Sequence, residues 1–151
     1  MFKKLFKKIP SSLYTVASLS ALAAINYALI NNIFVFIAIL VLLSHELGHF
    51  FISKKEGADA SLPIFLPLPF IAIGLTRVKN LSLHSKKKVS LSGPIFGFLA
   101  AFLLLLLNVI FSYTSNILLL FLMFSEIFFN YIGTDGAKYR RAKKDLQLCI
   151  S

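Results

Sequence analysis

The sequence predicts an all-α polytopic membrane protein with about four transmembrane helices. Of its 151 residues, 58% are hydrophobic and the mean hydropathy is +0.82, an apolar content above that of soluble domains. The apolar residues form long segments, each near the ~20 residues that cross a hydrocarbon core of ~30 Å. All sixteen lysines and arginines lie outside those segments. We therefore expect a single membrane-embedded domain over residues 1–151.

Four segments are predicted to span the membrane, at about residues 13–30, 33–53, 90–111 and 117–134. Short uncharged turns join the first span to the second and the third to the fourth. The remaining parts are a long loop and two basic tails, at about residues 56–89, 1–10 and 137–151. The first span also resembles a secretory signal with a cleavage site at Ala21-Leu22-Ala23. We favour a retained helix because the apolar run continues past that site.

The basic residues fall into three groups that predict the topology. Four precede the first span, seven lie from Lys54 to Lys88, and five lie from Lys138 to Lys144. With four spans, these groups share one side of the membrane, which the positive-inside rule identifies as the cytoplasm. We expect a multi-pass protein of a cell inner or plasma membrane with both termini cytoplasmic. The net charge of +10 then needs no nucleic-acid partner.

The long loop contains a proline-rich stretch that cannot form a regular helix. Pro63, Pro67 and Pro69 break helices and argue against a central strand. Residues 70–78 are expected to be an extended strand or one arm of a β-hairpin. Because non-helical backbone at membrane depth must lie against protein or a wet cavity, this loop should cover the functional site.

The second span contains the sequence His-Glu-Leu-Gly-His, which begins at His45 and ends at His49. Residues four apart lie on one helix face, so both imidazoles can bind one ion. Glu46 lies beside that face, where its carboxylate can take a proton from a metal-bound water. Ionisable groups at membrane depth are costly and indicate a functional site. The ligands suit Zn²⁺, although cobalt or iron would also fit.

A third metal ligand is expected from elsewhere in the chain, and Asp135 is the preferred candidate. It lies at the cytoplasmic end of the fourth span between Gly133 and Gly136, which let the backbone turn the carboxylate inward. Glu126 lies nine residues earlier, about 13 Å back along a helix, at the wrong depth. The other candidates, expected to be solvated, are Glu56, Asp59, His84 and Asp145.

The third span opens with Ser-Gly-Pro-Ile-Phe-Gly. Pro94 is expected in the first turn of the helix, where its missing N–H costs nothing. Gly93 and Gly97 lie four apart and allow another helix to approach closely. We expect that partner to be the helix that carries His45 and His49.

These motifs, in this order and spacing over about residues 33–144, resemble the site-2 protease family of intramembrane zinc metalloproteases. The proline-rich loop is similar to the short sheet region of that family. The resemblance implies that His45, His49 and Asp135 bind zinc and that Glu46 is the general base. It also implies a membrane-anchored protein substrate, cleaved near or within the bilayer.

The chain departs from the family pattern before Asp135. The family's usual Asn and Pro, eight and five residues earlier, are replaced by Ile127 and Asn130. The resemblance implies that this Asn helps to stabilise the reacting carbonyl, so its loss bears on catalysis more than on zinc binding. Asn130 and Glu126 lie four apart, so they either substitute for it or form a structural pair.

Two functions therefore stay open. The first is an intramembrane protease in which Glu46 activates a zinc-bound water to hydrolyse membrane-anchored substrates. The second is a catalytically degenerate zinc-binding membrane protein that binds partners without cleaving them. Metal or proton transport is disfavoured, because the spans offer few polar residues for a path to the opposite face.

Overall fold

A computed structural model describes residues 11–30, 33–68, 71–112 and 114–148. Within these ranges the chain is mostly helical, with five helices and four short strands. In chain order they are α1 (Ser11–Ile30), α2 (Ile33–Lys55), β1 (Asp59–Ala60), β2 (Ile64–Leu68), β3 (Ile71–Leu75), β4 (Val78–Lys79), α3 (Leu83–Phe111), α4 (Asn116–Ile132) and α5 (Thr134–Leu148). The predicted N-terminal basic tail and the last three residues of the C-terminal tail lie outside the described residues.

Two of these helices, α2 and α3, are long and apolar enough to cross a membrane. Their most apolar windows have mean hydropathies of 2.0 and 2.5, and Asn116–Phe128 forms a shorter apolar helix. The α3 helix packs along α2 and also contacts α4 and α5. The predicted helical class is therefore confirmed. A chain that crosses the membrane four times stays a prediction.

The start of α3 differs from the sequence prediction. The helix begins at Leu83, not near residue 90, because the Ser82 side chain caps it by accepting a hydrogen bond from the Ser85 N–H at 3.1 Å. Hydropathy marks only the apolar part of a helix, so the lysine-rich end of the predicted loop forms its first turns. Pro94 consequently lies in the helix interior, and its prediction as a first-turn residue was wrong. His84 is exposed on this polar part of α3.

The four strands form two antiparallel pairs, β1 with β4 and β2 with β3. Helix α1 packs against the outer edge of β2, where the Phe65 N–H donates to Ser18 Oγ at 3.1 Å. The Thr15 hydroxyl donates to the Pro63 carbonyl at 2.6 Å beside it. The Phe65 ring is buried in an apolar cluster with residues of α1 and α2. These contacts attach the β2–β3 hairpin to the helices.

A second connection joins the end of α2 to the start of α3. The Glu56 carboxylate accepts hydrogen bonds from Lys88 Nζ at 2.8 Å and from the Ser85 hydroxyl at 2.7 Å. These two bonds, the Lys88 bond first, lower the pKa of Glu56. The prediction that Glu56 is simply solvated was therefore wrong. Asp59 and Asp145, by contrast, are exposed.

Candidate metal centre

The structure brings His45, His49 and Asp135 together, although the histidines lie on α2 and the aspartate on α5. One potential ligand atom from each residue lies within 4.8 Å of the others, and all three residues are buried. The Nε2 atoms of His45 and His49 each lie 3.2 Å from Asp135 Oδ2. These three residues are the ligands that the sequence pattern and the family resemblance predicted.

The donor set fits a tetrahedral zinc ion. Bonds of about 2.0–2.1 Å in a tetrahedron separate ligand atoms by about 3.3 Å, close to the distance from each Nε2 atom to the carboxylate oxygen. Two imidazoles and one carboxylate leave a fourth position for water or substrate, as catalytic zinc sites do. The residues present are therefore chemically and geometrically suited to bind the ion.

The outer nitrogens of both rings contact acceptors that fix the tautomer. His49 Nδ1 lies 2.7 Å from the Val89 carbonyl oxygen, and His45 Nδ1 lies 2.6 Å from Glu126 Oε2. A carbonyl and an ionised carboxylate only accept hydrogen bonds, so each Nδ1 must donate. A neutral ring that carries its proton on Nδ1 leaves the Nε2 lone pair available to a metal.

Glu126 lies outside the cluster of His45, His49 and Asp135, but it is nearer to that cluster than its expected depth implied. Its distance along α4 argued that it lies too far from the metal ligands, yet its carboxylate contacts the outer nitrogen of His45. The argument failed because it measured the separation of Glu126 and Asp135 along one straight helix. The chain bends at Gly133 and Asp135 belongs to a separate helix, α5. Glu126 also accepts a hydrogen bond from Asn130 Nδ2 at 3.0 Å, so of the two alternatives left open for these residues, the structural pair is present.

Glycine makes room for the predicted metal ligands where α3 crosses α2. A Cβ atom at Gly93 would lie 2.6 Å from His45 Nε2, and it would also overlap the His49 ring. One turn later, a Cβ atom at Gly97 would lie 2.5 Å from Glu126 Oε2. The two glycines therefore face different partners. Gly93 faces α2 as predicted, whereas Gly97 faces the carboxylate on α4.

Glu46, the predicted general base, points toward the hairpin. The Thr76 hydroxyl donates to Glu46 Oε2 at 2.7 Å. The same side chain packs on the face of β3 at Gly74, where a Cβ atom would lie 2.6 Å from Glu46 Cδ. The loop thus holds this carboxylate, which lines the same cavity as the predicted ligands. No sequence pattern had indicated a role for Thr76 or Gly74.

Asp135 is held in the ionised form that binds metals. It lies after the last apolar segment, in the first turn of α5, where a helix N-terminus favours negative charge. Burial raises the pKa of Asp135, but its polar contacts with His45, His49 and Lys138 outweigh burial and hold that pKa well below its usual value. Lys138 Nζ contacts Oδ1 at 3.0 Å, which leaves Oδ2 facing the two rings.

The predicted ligands and Glu46 line one cavity of about 760 Å³. Its walls come from α2, the β3–β4 region, α3, α4 and α5. Lys86, Lys138 and Arg141 are among the charged residues of the lining, and Leu42 and Val89 are among the apolar ones. A space of this size falls within the range of ligand-binding pockets, so it can admit part of a peptide chain.

One comparison with known proteins supports the family resemblance. A curated zinc metalloprotease of Methanocaldococcus jannaschii is 26% identical over an alignment of 121 residues that covers 75% of this chain and 34% of the relative. The chain spans about a third of the length of the curated relative it matches. No protein-family model and no solved structure matches the chain. The match supports the resemblance of this chain to the site-2 protease family, and it supports a metalloprotease-like function.

Proposed function

We propose that this relative of the site-2 proteases is an intramembrane zinc metalloprotease that hydrolyses peptide bonds of membrane-anchored proteins. The observation that carries the proposal is the buried cluster of His45, His49 and Asp135 in the cavity that Glu46 also lines. A base beside an open metal position is the arrangement that metal-assisted hydrolysis requires. The zinc relative supports the same chemistry.

The chain's own residues supply positioning and proton transfer. His45, His49 and Asp135 would hold zinc, which lowers the pKa of a water molecule and polarises a carbonyl when bound. Glu46 takes the proton from the attacking water and passes it to the leaving amine. Thr76 orients the Glu46 carboxylate through its hydroxyl, and the buried surroundings strengthen these charge interactions.

The substrate is proposed to bind as an extended strand along β3. In an antiparallel pair, opposite residues alternate between hydrogen-bonded and non-hydrogen-bonded pairs. The Phe65 N–H points away from β3 to Ser18, and Phe65 lies opposite Gly74. The N–H and C=O of Gly74 therefore point away from β2, at the outer edge of β3. Addition of a strand there would place a scissile bond near Glu46.

A membrane setting and four crossings complete the proposal. Helices α1 to α4 would cross the bilayer, with the termini, the β-strands and α5 at the cytoplasmic side that the basic residues indicate. Contacts of Thr15 and Ser18 with the β2 segment support a retained first helix. The partners would be a membrane-anchored substrate and the lipid bilayer.

Removal of the metal tests this function. Purified protein in vesicles is expected to bind one zinc per chain and to cleave some of a panel of single-span test proteins that carry a fluorescent protein on the cytoplasmic side. A chelator should stop cleavage and added zinc should restore it, with release followed on a gel and the cut site by mass spectrometry. Bound zinc without any product would favour the non-cleaving partner-binding protein.

Gly74→Ala should reduce cleavage and leave zinc binding intact. The new Cβ atom would overlap the Glu46 carboxylate, whose Oε1 lies 2.8 Å from its position, and a displacement of a catalytic group by about 1 Å can cost about 100-fold in rate. Thr76→Ser, which keeps the hydroxyl, is the matched control and should cleave nearly normally. Equal rates for Gly74→Ala and the unmodified protein would contradict the assigned position of the base.

A further inference from the structure

Glu126 is a buried carboxylate in a helix that is otherwise strongly apolar. It is 8% exposed, and Ile127 and Phe128 follow it in α4. An ionisable group in apolar surroundings is costly unless hydrogen bonds compensate. Its partners therefore indicate why the chain has a glutamate here.

Three elements converge on one oxygen of this carboxylate. Oε2 lies 2.6 Å from His45 Nδ1 and accepts a hydrogen bond from Asn130 Nδ2 at 3.0 Å. Gly97 of α3 supplies the space, because a Cβ atom there would lie 2.6 Å from Glu126 Cδ. Hydrogen-bonding partners on α2 and α4 thus hold the carboxylate in the space that α3 leaves at Gly97.

The contact with His45 determines which ring nitrogen can bind a metal. An ionised Glu126 carboxylate can only accept a hydrogen bond, so the His45 ring must carry its proton on Nδ1 and present Nε2 to Asp135 Oδ2. The Nδ1 atom of His49 contacts the Val89 carbonyl oxygen in the same way, but that acceptor carries no charge. A carboxylate behind an imidazole also makes the ring a stronger ligand than a carbonyl does.

We propose that Glu126 is a positioning residue for the metal ligand His45, and that Asn130 and Gly97 hold Glu126 in place. Glu126 contacts the ring from behind, on the nitrogen opposite to the one that faces Asp135, so it is not itself a ligand. The proposal rests on the metal site of the proposed function, and it concerns the affinity and geometry of that site.

The test compares Glu126→Ala, Glu126→Gln and Ser125→Ala by competition for zinc against a chromophoric chelator. Glu126→Ala should bind zinc about 10–100-fold more weakly, which is the usual effect of removing such a partner. Glu126→Gln keeps an oxygen that can accept from Nδ1 and should bind with intermediate affinity. Ser125→Ala, which removes a hydroxyl that donates to the Leu122 carbonyl in the preceding turn, should match the unmodified protein.

A spectroscopic measurement on the unmodified protein covers the case in which the variants fail to fold. With ¹¹³Cd in place of zinc and ¹⁵N-labelled histidine, His45 should show coupling of cadmium to Nε2 and a proton on Nδ1. Coupling through Nδ1 would overturn the proposal, as would normal zinc affinity in folded Glu126→Ala. Zinc affinity that depends on Glu126 in a protein that cleaves nothing would support this inference and contradict the proposed protease function.

Discussion

Gly93→Ala should abolish metal binding in a protein that still folds. The added Cβ atom would lie 2.6 Å from His45 Nε2 and from His49 Cε1, where the lone pairs of both rings converge. Neither ring can retreat easily, because the outer nitrogen of each is held by Glu126 or by Val89. We expect zinc affinity to fall by more than about 100-fold, beyond the effect of losing a partner behind a ligand.

The fold itself should tolerate this change. Alanine is a better helix former than glycine by about 1 kcal/mol, so loss of the metal cannot be attributed to a weakened helix. Leu91→Ala, an exposed position two residues earlier on α3, is the control and should bind zinc normally. Zinc content by mass spectrometry and helicity by circular dichroism check the prediction. Full zinc occupancy in folded Gly93→Ala would mean that α3 does not lie against the two rings.

The part of the site that follows from helical geometry was predictable from the sequence. His45 and His49 are four residues apart, so any α-helix places them on one face. Asp135 required topology as well, because only an arrangement that returns the chain to the same side of the membrane brings it near them. Gly93 was identified as a site of close approach by its lack of a side chain, and it does face the histidines.

The partners of the predicted ligands were less accessible to sequence analysis. Val89 contributes a backbone carbonyl, which every residue has and no pattern can single out. Thr76 reaches Glu46 only because the loop folds back over α2. Glu126 did carry a signal, since an ionisable residue in an apolar helix indicates a polar partner at the same depth. Its partner could not be identified while the chain from Glu126 to Asp135 was treated as one continuous helix.

The predicted start of α3 was wrong for a physical reason. Charged residues such as Lys86 and Lys88 interrupt a hydropathy profile but not a helix, because lysine is a good helix former. The capping side chain of Ser82, not the end of the apolar run, determines where α3 begins. The chain consequently reaches the metal centre with a helix at a place where a loop was expected.

Glu46→Gln should remove cleavage while the protein keeps its zinc. The substitution preserves the size of the side chain and an oxygen that can accept the Thr76 hydrogen bond, but an amide cannot take a proton from water. General bases contribute about 10²–10⁴-fold to the rate, so we expect a loss of that size. Zinc content should not change, since the three predicted ligands are His45, His49 and Asp135.

A matched carboxylate-to-amide change separates the role of the base from a general effect of charge. Asp59→Asn alters an exposed carboxylate that accepts a hydrogen bond from Asn80 in the same loop region, and it should cleave at the normal rate. Rates are measured on one cleaved test protein, with zinc content determined in parallel. Loss of cleavage with zinc retained is the expected result. Loss of both zinc and cleavage in Glu46→Gln would mean that Glu46 supports the ligands. Cleavage at the unmodified rate with zinc bound would require a different base, because a zinc site that works without Glu46 must pass the proton of the attacking water to another group.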